Sequence, residues 1–178
     1  VLHRFTTSQW LPYPRAFVFG FLASPENLPR LMPAWQMARI EEAQIVPPPA
    51  PAPGPLRPRV AAGKGSLITI SFRPIPFSPV RLSWEALISD FAWNERFCDR
   101  QLHGPFGEWE HCHSAKDETR EGIAGTLVTD DVHYAMTLGF AGEIAHTLFA
   151  ERQVRSIFRH RQQQMEKLLA ELRRSQQR

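Results

Sequence analysis

A chain of 178 residues has room for one domain of ordinary size and not for two. Its 43% hydrophobic and 22% charged residues exclude the composition of a disordered chain, and no apolar stretch approaches the roughly 18 to 20 residues that a membrane helix needs. The excess of 21 Lys and Arg over 18 Asp and Glu gathers after residue 151, which marks one basic helical face and not a nucleic-acid module, since no stacking or phosphate motif accompanies it.

The first ten residues alternate as a strand, with Leu2, Arg4, Thr6 and Ser8 on one side and His3, Phe5, Thr7 and Gln9 on the other. They lack the charged and apolar regions of a secretory signal. With only Cys98 and Cys112 in the chain, the expectation is two free thiols in a reducing compartment, the cytoplasm. Pro12 and Pro14 end the strand, and Pro14 suits the first turn of a short apolar helix running through Phe17 and Phe21. Ser24 followed by Pro25 starts a second short helix, which ends near Leu31 before Pro33.

A strand over residues 35–46 runs into a segment that holds seven of the chain's 16 prolines. Proline cannot donate to a strand ladder, so residues 47–59 are predicted to be an exposed loop inserted between paired strands. Further strands are predicted over 64–73, 80–90, 96–103, 109–116 and 125–136. Short proline- and glycine-bearing connections between them imply antiparallel hairpins. From about Ala141 the apolar period changes to three and four. Val154, Ile157, Phe158, Met165, Leu168, Leu169 and Leu172 then mark a helix over about 151–173, roughly 35 Å long. One long amphipathic helix against seven antiparallel strands is an α+β arrangement, with the helix covering one face of a curved sheet. All of residues 1–178 are expected to form this single domain, with a gap at the sheet's open end as the candidate site.

Three segments carry a resemblance: Phe97-x-Asp99-x-Gln101-x-x-Gly104-Pro105, then Trp109-x-His111-x-His113, then Gly125-Thr126-x-Val128-x-Asp130-x-Val132-x-Tyr134. The Ile157-Phe158-x-x-Arg161 step in the last helix continues it. Together with the element order, these residues resemble the helix-grip proteins of the SRPBCC superfamily, which includes START-like lipid carriers and polyketide cyclases. They are most similar to a bacterial group described as ligand-binding. The resemblance implies a cavity for a hydrophobic small molecule and supplies neither a substrate nor a reaction. The proline-rich insert and Cys112 between the two histidines depart from the pattern without disturbing its alternate positions.

Residues two apart share a face of a strand, so Trp109, His111 and His113 lie together, as do Phe97, Asp99 and Gln101. Whether the two sets meet depends on the turn between them, because one residue of slip sends a set to the other face. A four-residue loop would set Cys98 and Arg100 beside the histidines. A five-residue loop pairs His103 with Trp109, Gln101 with His111 and Asp99 with His113, and sends Arg96, Arg100, Glu108 and Glu110 outward. The longer loop is the expectation. On it, Thr126, Val128, Asp130, Val132 and Tyr134 join the same concave side.

The expected lining has Phe97, Trp109, Val128 and Tyr134 as walls, Thr126 beside them, and Asp99, Gln101, His111, His113 and Asp130 as a polar cluster, with Asp99 and His113 paired. This cluster has three readings: a hydrogen-bonded network that fixes strand register, a head-group site for an otherwise apolar ligand, or a general acid–base pair of His113 and Asp99 in a cyclase- or dehydratase-like enzyme. Binding without strong chemistry is the preferred expectation. No cofactor motif is present, and no metal is expected, because Cys112 points away from the two histidines. A homodimer through exposed Phe and Trp near the short helices is left open.

Overall fold

The computed structural model describes residues 1–49, 60–137 and 151–176. The chain opens with strand β1 (Leu2–Leu11), helix α1 (Arg15–Leu22), a 3-10 turn (Pro25–Asn27), helix α2 (Leu28–Leu31) and a second 3-10 turn (Ala34–Gln36). Six strands follow: β2 (Arg39–Gln44), β3 (Leu67–Phe72), β4 (Leu82–Ala92), β5 (Arg96–His103), β6 (Glu108–Arg120) and β7 (Ile123–Ala135). Helix α3 (Glu151–Gln176) ends the described chain. The seven strands form one antiparallel sheet in the order β1-β7-β6-β5-β4-β3-β2.

Pro14 precedes α1 and accepts from the amides of Phe17 and Val18, so the proline starts the helix without losing a bond. Gly125 lies where β7 passes under the end of β1, and a Cβ there would meet the Leu11 carbonyl oxygen at 2.5 Å. Strand β4 carries two register shifts against β5, between Glu85 and Ala86 and between Ile88 and Asp90. Such bulges bend and twist a strand, here in the middle of the sheet.

Helix α3 packs over the β1–β7 side. Val128 joins Leu11, Met165, Leu168, Leu169 and Leu31 in one buried cluster, and Val132 and Tyr134 join Val154 and Phe158 in another. The apolar side chains of β3 and β4 form a separate cluster that includes Ile68, Ile70, Phe72 and Ile88. The helix therefore buries the β1–β7 side of the sheet in two clusters, and the β3–β4 cluster lies apart from both.

Several boundaries differ from the sequence expectation. Trp35 belongs to a 3-10 turn and not to a strand, because Met37 after it takes a left-handed conformation (φ 48°) that starts β2 only at Arg39. The polar stretch 117–122 is mostly strand: β6 runs to Arg120, and Glu121 and Gly122, both with positive φ, make the turn. Residues 50–59 of the proline-rich segment, and the stretch 141–150 where the helical period is expected to begin, lie outside the described residues.

The two cysteines do not stay free. Cys98 and Cys112 face each other across β5 and β6 and form a disulfide, with Cα atoms 4.1 Å apart. The same ladder that aligns Phe97 with His113 and Asp99 with His111 brings these two between them into register, which the sequence spacing of 14 residues does not reveal. No helix among the described residues is long and apolar enough to cross a membrane.

Candidate functional site

A cavity of about 350 Å³ lies between the β3–β6 part of the sheet, α1, α2 and the N-terminal half of α3. Its floor follows from strand alternation. Ile68, Ile70 and Phe72 from β3, Leu82, Trp84, Ala86 and Ile88 from β4, Phe97 and Asp99 from β5, and Trp109, His111 and His113 from β6 all line it. These positions are cross-strand neighbours in sequence: Ile70 faces Trp84, Ile88 faces Asp99, and Asp99 faces His111. The walls are predominantly aliphatic and aromatic, and the charged and imidazole groups concentrate where β5 and β6 approach α3.

The β5–β6 register places the expected residues on one face but two positions away from the expected pairing. Asp99 lies opposite His111 and not His113, and His113 lies opposite Phe97. The reason is in the turn. Gln101 leaves the β6 ladder and folds back, donating from Nε2 to the Phe106 carbonyl oxygen at 2.8 Å, and His103 pairs with Glu85 of β4 instead of with Trp109. A shift of two preserves every side chain's face, so Arg96, Arg100, Glu108 and Glu110 still alternate away from the histidines.

The histidines converge on a partner other than the one expected. His111 Nε2 is 3.0 Å from Asp130 Oδ1, and His113 Nδ1 is 2.6 Å from the same oxygen, though off the line of a straight hydrogen bond. Asp99 Oδ1 stands 3.7 Å from the other ring nitrogen of His111. The Arg161 guanidinium of α3 reaches Nε2 of His113 at 3.4 Å. With the arginine donating, His113 presents a lone pair at Nε2 and carries its proton on Nδ1, toward Asp130.

All four groups beneath Arg161 are sequestered, Asp99 alone keeping 19% of its side chain exposed. Burial holds the His113 imidazole down at about 3, helped by the neighbouring His111 and Arg161 charges and opposed by Asp130. The imidazole is thus neutral across the physiological range. Burial alone would raise the Asp130 carboxyl, but its contacts with His113 and His111 outweigh that and hold it well below the usual carboxylate range. Asp99 goes the other way: burial raises it, and the nearby His111 and Arg161 only partly compensate. The two carboxyls on either side of His111 therefore differ in charge preference, because Asp130 is held closely by both imidazoles and Asp99 is not.

Of the residues singled out in the sequence, Phe97, Asp99, Trp109, His111 and His113 line the cavity. Asp130 lies one layer beneath, holding the two imidazoles. Val128 and Tyr134 are not walls of the cavity: α3 lies on β7, so both are packed into the helix–sheet core. Thr126 is fully buried there and donates to the Tyr13 carbonyl oxygen, and Gln101 braces the turn. The sequence reading missed Arg161 as a lining residue, although it lies one turn after Ile157 and Phe158, which line the same cavity. It also missed the β3–β4 wall, whose apolar alternation resembles that of any half-buried strand, and Gln36, whose Oε1 is buried in the wall without a hydrogen-bond partner among the described residues.

Asp99, His111 and His113 each offer a ligand atom within 4.8 Å of the others, the number of donors found in many metal sites. The chemistry of the surroundings fits a cation poorly, since Arg161 carries a permanent positive charge against the nitrogen that His113 would use.

Comparison with known proteins agrees with this architecture. No protein-family model matches the sequence, and no curated protein matches it. Solved structures do. The crystal structure of Ara h 8.0201 superposes with a TM-score of 0.60 at 13% identity, covering 96% of this chain and 99% of that one. Protein CV1439 from Chromobacterium violaceum gives 0.61 at 11% identity over 93% and 96%, and the ginseng major latex-like protein 151 from Panax ginseng gives 0.60 at 8% over 93% and 96%. The chain has the helix-grip fold. At such identities the likeness is one of fold.

Proposed function

We propose that the protein binds a hydrophobic or amphipathic small molecule in the cavity between its sheet and α3, without catalysing a strong chemical step, and that residues 1–178 act as one domain around it. The observation that carries this reading is the cavity itself. About 350 Å³ is within the range of small-molecule sites, roughly 300 to 1,000 Å³, and well-packed interiors leave few voids larger than a water molecule. Apolar walls with one convergent polar cluster match the general anatomy of such sites. Phe97, Asp99, Trp109, His111 and His113 would touch the guest, with Asp130 holding the imidazoles.

Native mass spectrometry of freshly purified protein, together with titration by the neutral dye N-phenyl-1-naphthylamine, tests the proposal. A co-purifying apolar molecule or saturable, blue-shifted dye emission is expected. A protein that carries nothing and does not take up the dye would refute it.

A catalytic reading has one observation in its favour, a neutral His113 imidazole and a raised Asp99 carboxyl on the same cavity wall, the elements of a general base and acid. Replacing either residue by its neutral near-isostere would abolish turnover in an enzyme and change affinity modestly in a carrier. The cytoplasmic expectation rested on free thiols, and the Cys98–Cys112 disulfide removes that support, so location forms no part of the proposal. Nor does a homodimer.

A further inference from the structure

Arg161 projects from α3 into the wall of the cavity. Among the described residues its hydrogen-bond partner is His113, and the carboxylates around it are engaged elsewhere: Asp130 with the two imidazoles and Asp99 opposite His111. No carboxylate of the described residues comes within ion-pair distance of the guanidinium. An arginine does not shed its proton in a protein. A purely apolar guest that displaced water from this end of the cavity would leave a permanent cation desolvated with no carboxylate of the described residues in direct contact, which opposes binding. A guest that brings its own anionic oxygen removes that opposition and gains a charge-assisted, potentially bidentate contact.

We propose that the guest is an amphipathic acid whose carboxylate binds Arg161 at the β5–β6 end of the cavity, while its apolar body lies along Ile68, Ile70, Trp84 and Ile88. The proposal rests on the cavity being a binding site and specifies what enters it. Three features support it. The charged and imidazole groups Asp99, His111, His113 and Arg161 gather at one end of a mostly apolar wall whose other polar residues, Ser24, Asn27, Gln36 and Gln153, are uncharged, which suits a molecule with a single charged head group. Burial raises the Asp99 carboxyl, which weakens the repulsion that a nearby carboxylate would set against an anionic head group. Asp130, the ionised carboxyl, is set back beneath the imidazoles, which shield it from the head group.

The test is isothermal titration of decanoate, decanol and decylamine into the wild-type protein and Arg161→Gln near neutral pH, with cobalt(II) titrated separately. Wild type is expected to bind decanoate at least about tenfold more tightly than decanol and decylamine most weakly. Arg161→Gln is expected to abolish the preference for decanoate over decanol; decanol, no longer opposed by a desolvated cation, should bind at least as tightly as to the wild type, which also shows that the variant is folded. Equal affinity of the wild type for acid and alcohol overturns the proposal without the variant and leaves the cavity reading standing, as does an acid preference that survives Arg161→Gln. If none of the three binds the wild type, both readings fail. Stoichiometric cobalt binding with ligand-field bands, abolished by His111→Ala, would assign the cluster to a cation and overturn the proposal as well.

Discussion

Replacing His113 by asparagine should flatten the loss of stability in mild acid. The wild-type imidazole is 2% exposed, enclosed by Phe97, His111, Asp130 and Arg161, with Asp99 paired to His111 beyond. Burial and the adjacent positive charges hold it at about 3 in the fold, against an ordinary value of 6.5. A depressed folded value means that the unfolded chain binds the extra proton first. The neutral imidazole therefore costs nothing above pH 6.5, and stability falls as pH drops from there toward 3. With about 1.36 kcal/mol per unit, the wild type should lose about 2 kcal/mol by pH 5 and about 3 kcal/mol by pH 4 from this group alone.

Asparagine keeps an N–H donor near the position of Nδ1 and cannot titrate. Urea unfolding of both proteins at pH 7, 6, 5 and 4 isolates the effect, because the other histidines are common to both and Asp130 titrates below the window. The expected outcome is a variant that is less stable than wild type at pH 7 and whose stability declines more slowly, by about one proton's slope, roughly 1.4 kcal/mol per pH unit. Parallel pH profiles would mean that His113 is protonated in the fold or faces water, and would refute the buried cluster as described.

Three further outcomes are expected. Leu169 is fully buried between α3 and the β1–β7 side of the sheet, so Leu169→Ala should cost roughly 2 to 5 kcal/mol, read as a lower midpoint in thermal or urea unfolding. The double change Cys98→Ala and Cys112→Ala opens a loop of 14 residues and should cost up to about 3 kcal/mol, while the oxidised wild type should take up no iodoacetamide until it is reduced. Ala86 lies on the cavity floor, so Ala86→Trp should abolish uptake of the neutral dye and leave the circular dichroism spectrum unchanged.

The kinds of element, their order and the faces of the strands follow from local chemistry. Alternation in β5 and β6 is a property of adjacent residues, so Phe97 and Asp99, and Trp109, His111 and His113, were assignable to one face each before any pairing was known. Proline at the start of α1 and the apolar period of α3 are legible for the same reason. Pairing is not local. His113 met Asp130 across β6 and β7, while Asp99 fell opposite His111 and the cysteines opposite each other, because the β5–β6 ladder lies two residues from the expected register, with Gln101 folded back onto its turn.

The cavity is likewise a property of the assembled sheet. Val128 and Tyr134 share the concave face with His111, yet α3 covers them and leaves the β3–β6 side open, which no strand pattern encodes. Arg161 reads in sequence as one more cation on a basic helix; only the docking of that helix turns it inward over the imidazoles. The sequence by itself determined which side chains share a surface, since that depends on backbone period alone. The tertiary structure decided which of them meet a guest, since that depends on where a helix distant in the chain comes to rest.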